Sequence, residues 1–172
     1  MTALQVLQKG MSTELWGMRF YEQAAARTSS PDGKRVFESL VAEETTHLEI
    51  LCGQYAAVTQ DKGCVSLEEA RKLAASVSPT EIFPEAEAAE ELIPADFTDA
   101  QALQMAMDFE SRGYKFYEQA AKDAASPQEK EMWAFLAKAE DLHYTFIQKT
   151  HEYLTTNGVW FFDERELPFF EG

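Results

Sequence analysis

Two short motifs in this sequence place a histidine three residues after a glutamate. They are Glu44-Thr45-Thr46-His47 and Glu140-Asp141-Leu142-His143, and the second lies 96 positions after the first. Three residues turn an α-helix through about 300°, so the two side chains of each motif share a face, about one turn apart. A carboxylate and an imidazole held this way can reach one metal ion. One copy in a glutamate-rich chain is weak evidence, and the second copy strengthens it.

The spacing of 96 residues extends well beyond the two motifs. The run Phe20-Tyr21-Glu22-Gln23-Ala24-Ala25 recurs unchanged at residues 116–121. Between Glu14 and His47, 14 of 34 positions are identical to those 96 residues later, and the alignment needs no gap. This pattern indicates an internal duplication. The matched pairs include Glu14 with Glu110, Gly17 with Gly113, and Ser30-Pro31 with Ser126-Pro127.

The composition is that of a globular domain with an excess of acidic residues. Charged residues make up 26% of the 172 residues and hydrophobic residues 45%, enough for one sizeable core. The net charge of −15 argues against nucleic acid and anionic membranes as partners, because both bind basic surfaces. No apolar run approaches membrane-spanning length, and residues 1–18 lack the pattern of a secretion signal. We therefore expect a cytoplasmic protein.

The hydrophobic periodicity predicts an all-α four-helix bundle over residues 1–158, built from two duplicated helical hairpins. The first hairpin covers about residues 3–59 and the second about 98–157. Ser30-Pro31 and Ser126-Pro127 each start the second helix of a hairpin, because serine caps a helix and proline suits its first turn. Residues 60–97 are too long for a tight turn, so we interpret them as a crossover that includes a short helix after Ser66.

Residues 159–172 form an aromatic tail. So many aromatic side chains in fourteen residues cannot all be solvated, so we expect the tail to cover one end of the bundle or a partner subunit. We also predict a homodimer that is weakened when the tail is removed. The aromatic residues of the tail are Trp160, Phe161, Phe162, Phe169 and Phe170.

The inner faces of the four long helices carry ionisable groups among their apolar residues. An unpaired buried charge costs several kcal/mol, so four carboxylates and two imidazoles in one core need compensation. Oxygen and nitrogen ligands of this kind suit a pair of divalent ions, either iron or manganese. The six candidate metal ligands are Glu14, Glu44, His47, Glu110, Glu140 and His143.

The two cysteines, Cys52 and Cys64, form no Cys-x-x-Cys motif. The sequence therefore contains no rubredoxin-type or zinc-ribbon site. Because the cytoplasm is reducing, we expect both to be reduced, buried thiols rather than a disulfide.

With these motifs the chain resembles the ferritin-like superfamily of di-iron carboxylate proteins, and within it the rubrerythrin and erythrin branch. The resemblance rests on the six candidate ligands and on a tyrosine, Tyr21 or Tyr117, seven residues after each first-helix glutamate. It implies that Glu44 and Glu140 bridge or chelate the ions, that Glu14 and Glu110 are terminal ligands, and that each histidine caps one ion. It also implies reduction of hydrogen peroxide with electrons from a rubredoxin. The sequence has no rubredoxin motif, so we expect a separate donor protein.

One departure from the family bears on the activity. Rubrerythrins carry a further glutamate one turn after the third-helix ligand, and an iron ion moves between it and a histidine when the redox state changes. This chain has Gly113 at that position, so peroxide and oxygen both remain possible substrates. Three functions stay open: a peroxide or oxygen reductase in oxidative-stress defence, a ferroxidase that handles iron, and a non-catalytic metal-binding protein.

Tyr21 and Tyr117 are candidates to support the metal ligands, with two possible roles. They lie about 20° around the helix from Glu14 and Glu110, two turns along. Their hydroxyls could hydrogen-bond ligand carboxylates across the bundle, or the phenols could supply an electron. The alternative is that they are core aromatics whose hydroxyls reach some other partner.

Overall fold

A computed structural model of the chain describes residues 2–60, 66–75 and 92–160. Within these ranges the regular structure is helical, which confirms the all-α prediction. The four long helices follow one another in two pairs, and a short helix lies in the segment between the pairs. The helices are α1 (Ala3–Arg27), α2 (Pro31–Thr59), α3 (Leu67–Ala74), α4 (Asp99–Asp123) and α5 (Pro127–Asn157).

The duplicated halves start their helices with the same local chemistry. Thr2 and Thr98 cap α1 and α4, each through a reciprocal pair of hydrogen bonds with a glutamine three residues later. Ser30 and Ser126 cap α2 and α5, and each is followed by a proline at the first helical position. Identical capping signals at corresponding positions explain why the two hairpins have nearly equal boundaries.

Part of the crossover packs on α1. Ser66 caps α3 as predicted, and the side-chain amide of Gln8 donates to the carbonyl of Leu73 at 3.0 Å. The N–H of Leu92 donates to Oε1 of Gln23 at 2.7 Å. The described parts of the crossover thus contact α1 at two places, α3 near its start and Leu92 near its end. Residues 61–65 and 76–91 lie outside the described ranges.

Two apolar clusters fill the bundle on either side of the six candidate ligands. One contains Phe20, Phe37 and Leu103, and the other contains Leu7 and Leu51; all five side chains are fully buried. Along α1, Leu7 precedes Glu14 and Phe20 follows it, whereas α2 meets the same two clusters in the opposite order. The polar residues therefore form one layer between two hydrophobic blocks, where water is excluded.

Two interior positions differ from the sequence prediction. The helical spacing of apolar residues predicts that Tyr114 and Met132 point inward, but both are only half-buried. Beside Met132, Trp133 is 1% exposed and occupies the core instead. A neighbouring residue lies about 100° around a helix, so a prediction of the inner face can miss by one position where two large apolar side chains are adjacent.

The prediction of reduced cysteines was wrong for Cys52, which is disulfide-bonded. The expectation came from the reducing compartment rather than from chain geometry. Cys52 lies two turns before the end of α2, and Gln60 adopts a left-handed conformation (φ 57°) that ends the helix and lets the chain turn. Cys64, the only other cysteine of the chain, lies outside the described residues.

The first aromatic residue of the tail contacts the end of the bundle. Nε1 of Trp160 donates to Oδ2 of Asp99 at 2.8 Å, and its ring packs edge-on against Phe37 at 5.6 Å. A methyl group on Gly33 would lie 2.6 Å from the indole, so glycine is required for this close approach. The prediction of a covered bundle end is confirmed for this residue, while residues 161–172 fall beyond the described ranges.

None of the helices described here is long and apolar enough to cross a membrane.

Candidate metal centre

The six predicted ligand residues meet in the polar layer of the bundle. Each is between 0% and 5% exposed, although glutamate and histidine normally lie at surfaces. Each long helix contributes: α1 and α4 supply one glutamate each, and α2 and α5 supply one Glu-x-x-His pair each. The structure therefore brings together all six residues chosen from the sequence.

Their oxygen and nitrogen atoms form two overlapping clusters. Glu14 and His47 belong to the first cluster, Glu110 and His143 belong to the second, and both clusters share Glu44 and Glu140. In each cluster one potential ligand atom per residue lies within 4.8 Å of all the others. The arrangement has the approximate twofold symmetry that the duplication predicts.

The surroundings of His47 show why this cluster suits a cation. Its Nδ1 lies 3.4 Å from a carboxylate oxygen of Glu14, 3.4 Å from one of Glu44 and 3.3 Å from one of Glu140. A single imidazole N–H serves one acceptor well, so three carboxylates cannot all be satisfied by it. Oε2 of Glu14 and Oε1 of Glu140 make no hydrogen bond of good geometry, although both are buried. Buried polar atoms of this kind are normally paired, and a bound cation would pair them.

The second cluster repeats this geometry at His143. Its Nδ1 lies 3.4 Å from Oε2 of Glu110 and 3.8 Å from Oε1 of Glu44. The rings of His47 and His143 stack at 5.2 Å with an angle of 19° between their planes. Both Nδ1 atoms thus face the carboxylates. The residue types and the geometry both fit two divalent ions.

The electrostatics of the metal-free cluster depend on protons. Burial, together with the charge of Glu44, raises the pKa of Glu14 well above its usual value. Burial, Glu110 and Glu44 raise the pKa of Glu140 in the same way. Burial would also raise the pKa of Glu44, but polar contacts with Glu14 and His47 outweigh it and lower that pKa to about 2. Without a metal, protons must therefore neutralise part of the cluster.

His47 takes up positive charge in this setting. Burial alone would lower its pKa, but contacts with Glu14, Glu140 and Glu44 raise it well above the usual value. A metal ion placed among these groups would replace the protons. We therefore expect metal binding to release protons and to strengthen with rising pH.

The two tyrosines hydrogen-bond carboxylates of the opposite half. The Tyr21 hydroxyl donates to Oε1 of Glu110, and the Tyr117 hydroxyl donates to Oε1 of Glu14. Burial and the surrounding carboxylates raise the pKa of Tyr21 well above its usual value, so its proton stays in place at neutral pH. Of the roles left open by the sequence, hydrogen bonding to candidate ligands is the one the structure shows.

Two glycines make room for the carboxylates shared by both clusters. A methyl group on Gly17 would lie 3.3 Å from Cδ of Glu44, and one on Gly113 would lie 3.2 Å from Oε2 of Glu140. Both glycines line a small cavity of about 10 Å³ beside these glutamates. That volume is about the size needed for one water molecule. The sequence identified the glycines as a duplicated pair but not as the wall of a cavity.

Sequence reasoning also missed Glu43. Its carboxylate, together with nitrogens of His47 and His143, forms a third group whose potential ligand atoms lie within 4.8 Å of one another. Glu43 is only half-buried, and its counterpart in the second half is Ala139. Glu43 is therefore not repeated by the duplication, whereas the six predicted ligands are. Its position next to Glu44 was the only signal available.

The bundle and its buried cluster define a ferritin-like protein. Residues 5–151 match the Rubrerythrin family, and the chain belongs to that family. A solved structure of similar fold, a hypothetical protein from Pyrococcus furiosus, has a TM-score of 0.71 and 20% sequence identity. The similarity covers 91% of this chain and 92% of the other, and at this identity it shows the fold alone. No curated protein matches the chain.

Proposed function

We propose that this protein is a non-haem di-iron peroxidase that reduces hydrogen peroxide with electrons from an external donor. The observation that carries the proposal is the pair of clusters that share Glu44 and Glu140. Glu14 and His47 would complete one metal position, and Glu110 and His143 would complete the other. Two iron ions held by these residues would supply the two electrons that reduce peroxide, with two protons, to two water molecules.

The chain's own residues prepare this site in three ways. The hydrogen bonds from Tyr21 and Tyr117 fix the orientation of Glu110 and Glu14, as groups behind metal ligands commonly do. The apolar blocks above and below the polar layer keep bulk water away. The cavity beside Gly17 and Gly113 leaves space for a small molecule and none for a bulky substrate.

The donor and the biological setting complete the proposal. Because the sequence contains no Cys-x-x-Cys motif, we propose that electrons come from a separate protein such as a rubredoxin. The protein would act in oxidative-stress defence in the cytoplasm, as a homodimer. Manganese binds the same types of residue, so the identity of the metal as iron is itself part of the proposal.

A second candidate is ferroxidase or oxygen-reducing activity, and Gly113 is the observation that favours it. The further glutamate that the family resemblance implies at this position is replaced by a residue that cannot bind a metal. An iron-handling role would use the same six residues but consume iron as a substrate.

Stopped-flow absorbance separates these candidates. Anaerobic protein loaded with two Fe(II) per chain would be mixed with peroxide or with oxygen, in the wild type and in Glu44→Ala. Peroxidase activity predicts much faster oxidation by peroxide, lost in the variant, and repeated turnover when a rubredoxin and its reductase are added. Faster reaction with oxygen would support the ferroxidase, and metal binding without oxidation by either would leave a non-catalytic metal protein.

A further inference from the structure

The duplication makes one difference between the two halves informative. Tyr21 and Tyr117 are corresponding residues, and each packs against an aromatic residue of the following helix. The partner of Tyr21 is Phe37, with ring centroids 6.4 Å apart. The partner of Tyr117 is Trp133, 5.6 Å away, with 20° between the ring planes. Only the second pair combines two side chains that are readily oxidised by one electron, because phenylalanine is far harder to oxidise.

The Tyr117–Trp133 pair connects the metal site to the protein surface. At its inner end, the Tyr117 hydroxyl donates to Glu14, and Tyr117 is fully buried. At its outer end, Trp133 forms part of the wall of a groove of about 350 Å³ between the start of α1, the end of α4 and the start of α5. The groove is mainly apolar, with Asp123 and Glu129 among its lining residues. Its carboxylates favour neutral or cationic molecules over anions.

We propose that Tyr117 and Trp133 form a one-electron relay between the Glu14 side of the metal site and this groove. The role of the relay rests on the proposed peroxidase function. The relay would discharge an oxidising equivalent when peroxide reacts at a site that holds only one of the two electrons needed. A neutral or cationic one-electron reductant in the groove would then restore the protein.

The electrons and protons balance as follows. Peroxide needs two electrons and two protons to form two water molecules. The metal site would supply one electron and solvent would supply both protons, Tyr117 supplies the other electron, and the phenolic proton moves along the existing hydrogen bond to Glu14. Trp133 then gives an electron to Tyr117, which recovers its proton from Glu14. The oxidised indole of Trp133 finally takes one electron from the reductant in the groove.

The relay can be tested without any metal. Metal-free protein would be mixed with tris(bipyridyl)ruthenium(II) and a sacrificial acceptor, and a laser flash would generate the ruthenium(III) oxidant. Its positive charge suits the acidic groove. Transient absorption should show an indole radical first, followed by a smaller population of phenoxyl radical in reversible equilibrium with it, because Trp133 must be able to reduce oxidised Tyr117.

Three variants give this experiment its controls. Tyr117→Phe should abolish the phenoxyl signal and prolong the indole radical, while Tyr21→Phe, the matched change in the other half, should leave both signals unchanged. Trp133→Phe installs the residue type that the first half carries at Phe37 and should also abolish the phenoxyl signal. An unchanged phenoxyl signal in Trp133→Phe, or equal losses in the two tyrosine variants, would overturn the relay. Tyr117→Phe removes only a hydroxyl and keeps the test valid if Trp133→Phe fails to fold.

A second measurement tests the protective role. Protein loaded with Fe(II) below its full capacity would be treated with peroxide, and peptide mass spectrometry would locate oxidised residues. Oxidation concentrated at Trp133, and moved to residues near the metal site in Trp133→Phe, would support discharge through the groove. Oxidation that does not concentrate at Trp133 would refute discharge through the groove. Because the flash experiment needs no metal, a working relay in a protein that does not reduce peroxide would reject the proposed function and leave the relay standing.

Discussion

Replacing Gly113 with alanine tests whether Glu140 holds a metal. The added methyl group would lie 3.2 Å from Oε2 and 3.5 Å from Cδ of Glu140. Alanine in a helix interior is more stable than glycine by about 0.5–1 kcal/mol. In the metal-free protein the carboxylate end of Glu140 can move aside, so Gly113→Ala should raise the free energy of unfolding by an amount up to this value.

Metal binding should reverse this benefit. A carboxylate that binds an ion cannot move away from the new methyl group, and overpacking of this kind costs about 1–3 kcal/mol. The stabilisation that Fe(II) confers should fall by that amount, which corresponds to roughly five- to 140-fold weaker binding. Gly17→Ala should behave in the same way, because its methyl group would lie 3.3 Å from Cδ of Glu44.

Gly53→Ala is the matched control. Gly53 is an exposed residue in the interior of α2, and a methyl group there would meet no atom within 4 Å. It should gain the same helix stability and keep the full stabilisation by metal. Urea unfolding of each variant, metal-free and with anaerobic Fe(II), measures both quantities. Equal metal-induced stabilisation in Gly113→Ala and Gly53→Ala would refute the role assigned to Glu140.

Three further predictions concern pH, the tyrosine contact and the tail. The pKa of His47 is raised in the folded protein, so His47 stabilises the fold below its unfolded pKa of 6.5, and this contribution is lost as pH rises through the folded pKa. The pKa of Glu14 is also raised, so Glu14 destabilises the fold as pH rises above its unfolded pKa of 4.5. Urea titrations should therefore show the metal-free protein gaining stability as pH falls from about 8 to about 5, and a flat or opposite trend would contradict this. Tyr117→Phe leaves a buried carboxylate without its donor and should cost about 1–3 kcal/mol in the metal-free protein, seen as a lower Tm; an unchanged Tm would show that the contact contributes nothing. Deleting residues 159–172 should weaken the proposed homodimer, and unchanged mass by light scattering would reject that assembly.

The fold could be predicted from the sequence largely because its signals repeat. The Ser-Pro pairs at Ser30 and Ser126 fixed the starts of two helices, and the 96-residue offset gave the same result twice. The buried layer could be predicted as well, since the glutamates and histidines occupy positions that an apolar stripe would otherwise fill. These features are local and periodic, so a single sequence displays them.

The parts that the sequence did not reveal depend on tertiary contacts. The choice between Met132 and Trp133 as the buried residue depends on the rotation of α5 within the bundle. The pairing of Tyr21 with Glu110 crosses between halves, and no local pattern indicates it. The disulfide at Cys52 was missed because the expectation rested on the compartment and no local pattern indicated it. Only the assembled bundle determines these features.

The most direct test of the account is the number of metal ions the protein binds. Anaerobic equilibrium dialysis against Fe(II) should give two ions per chain for the wild type and for Glu22→Ala, a change at an exposed residue. Glu44→Ala and Glu140→Ala should each weaken the binding of both ions, because those residues belong to both clusters. Glu14→Ala should weaken the binding of one ion. Fewer than two ions in the wild type, or two tightly held ions in Glu44→Ala and Glu140→Ala, would contradict the six-residue metal centre.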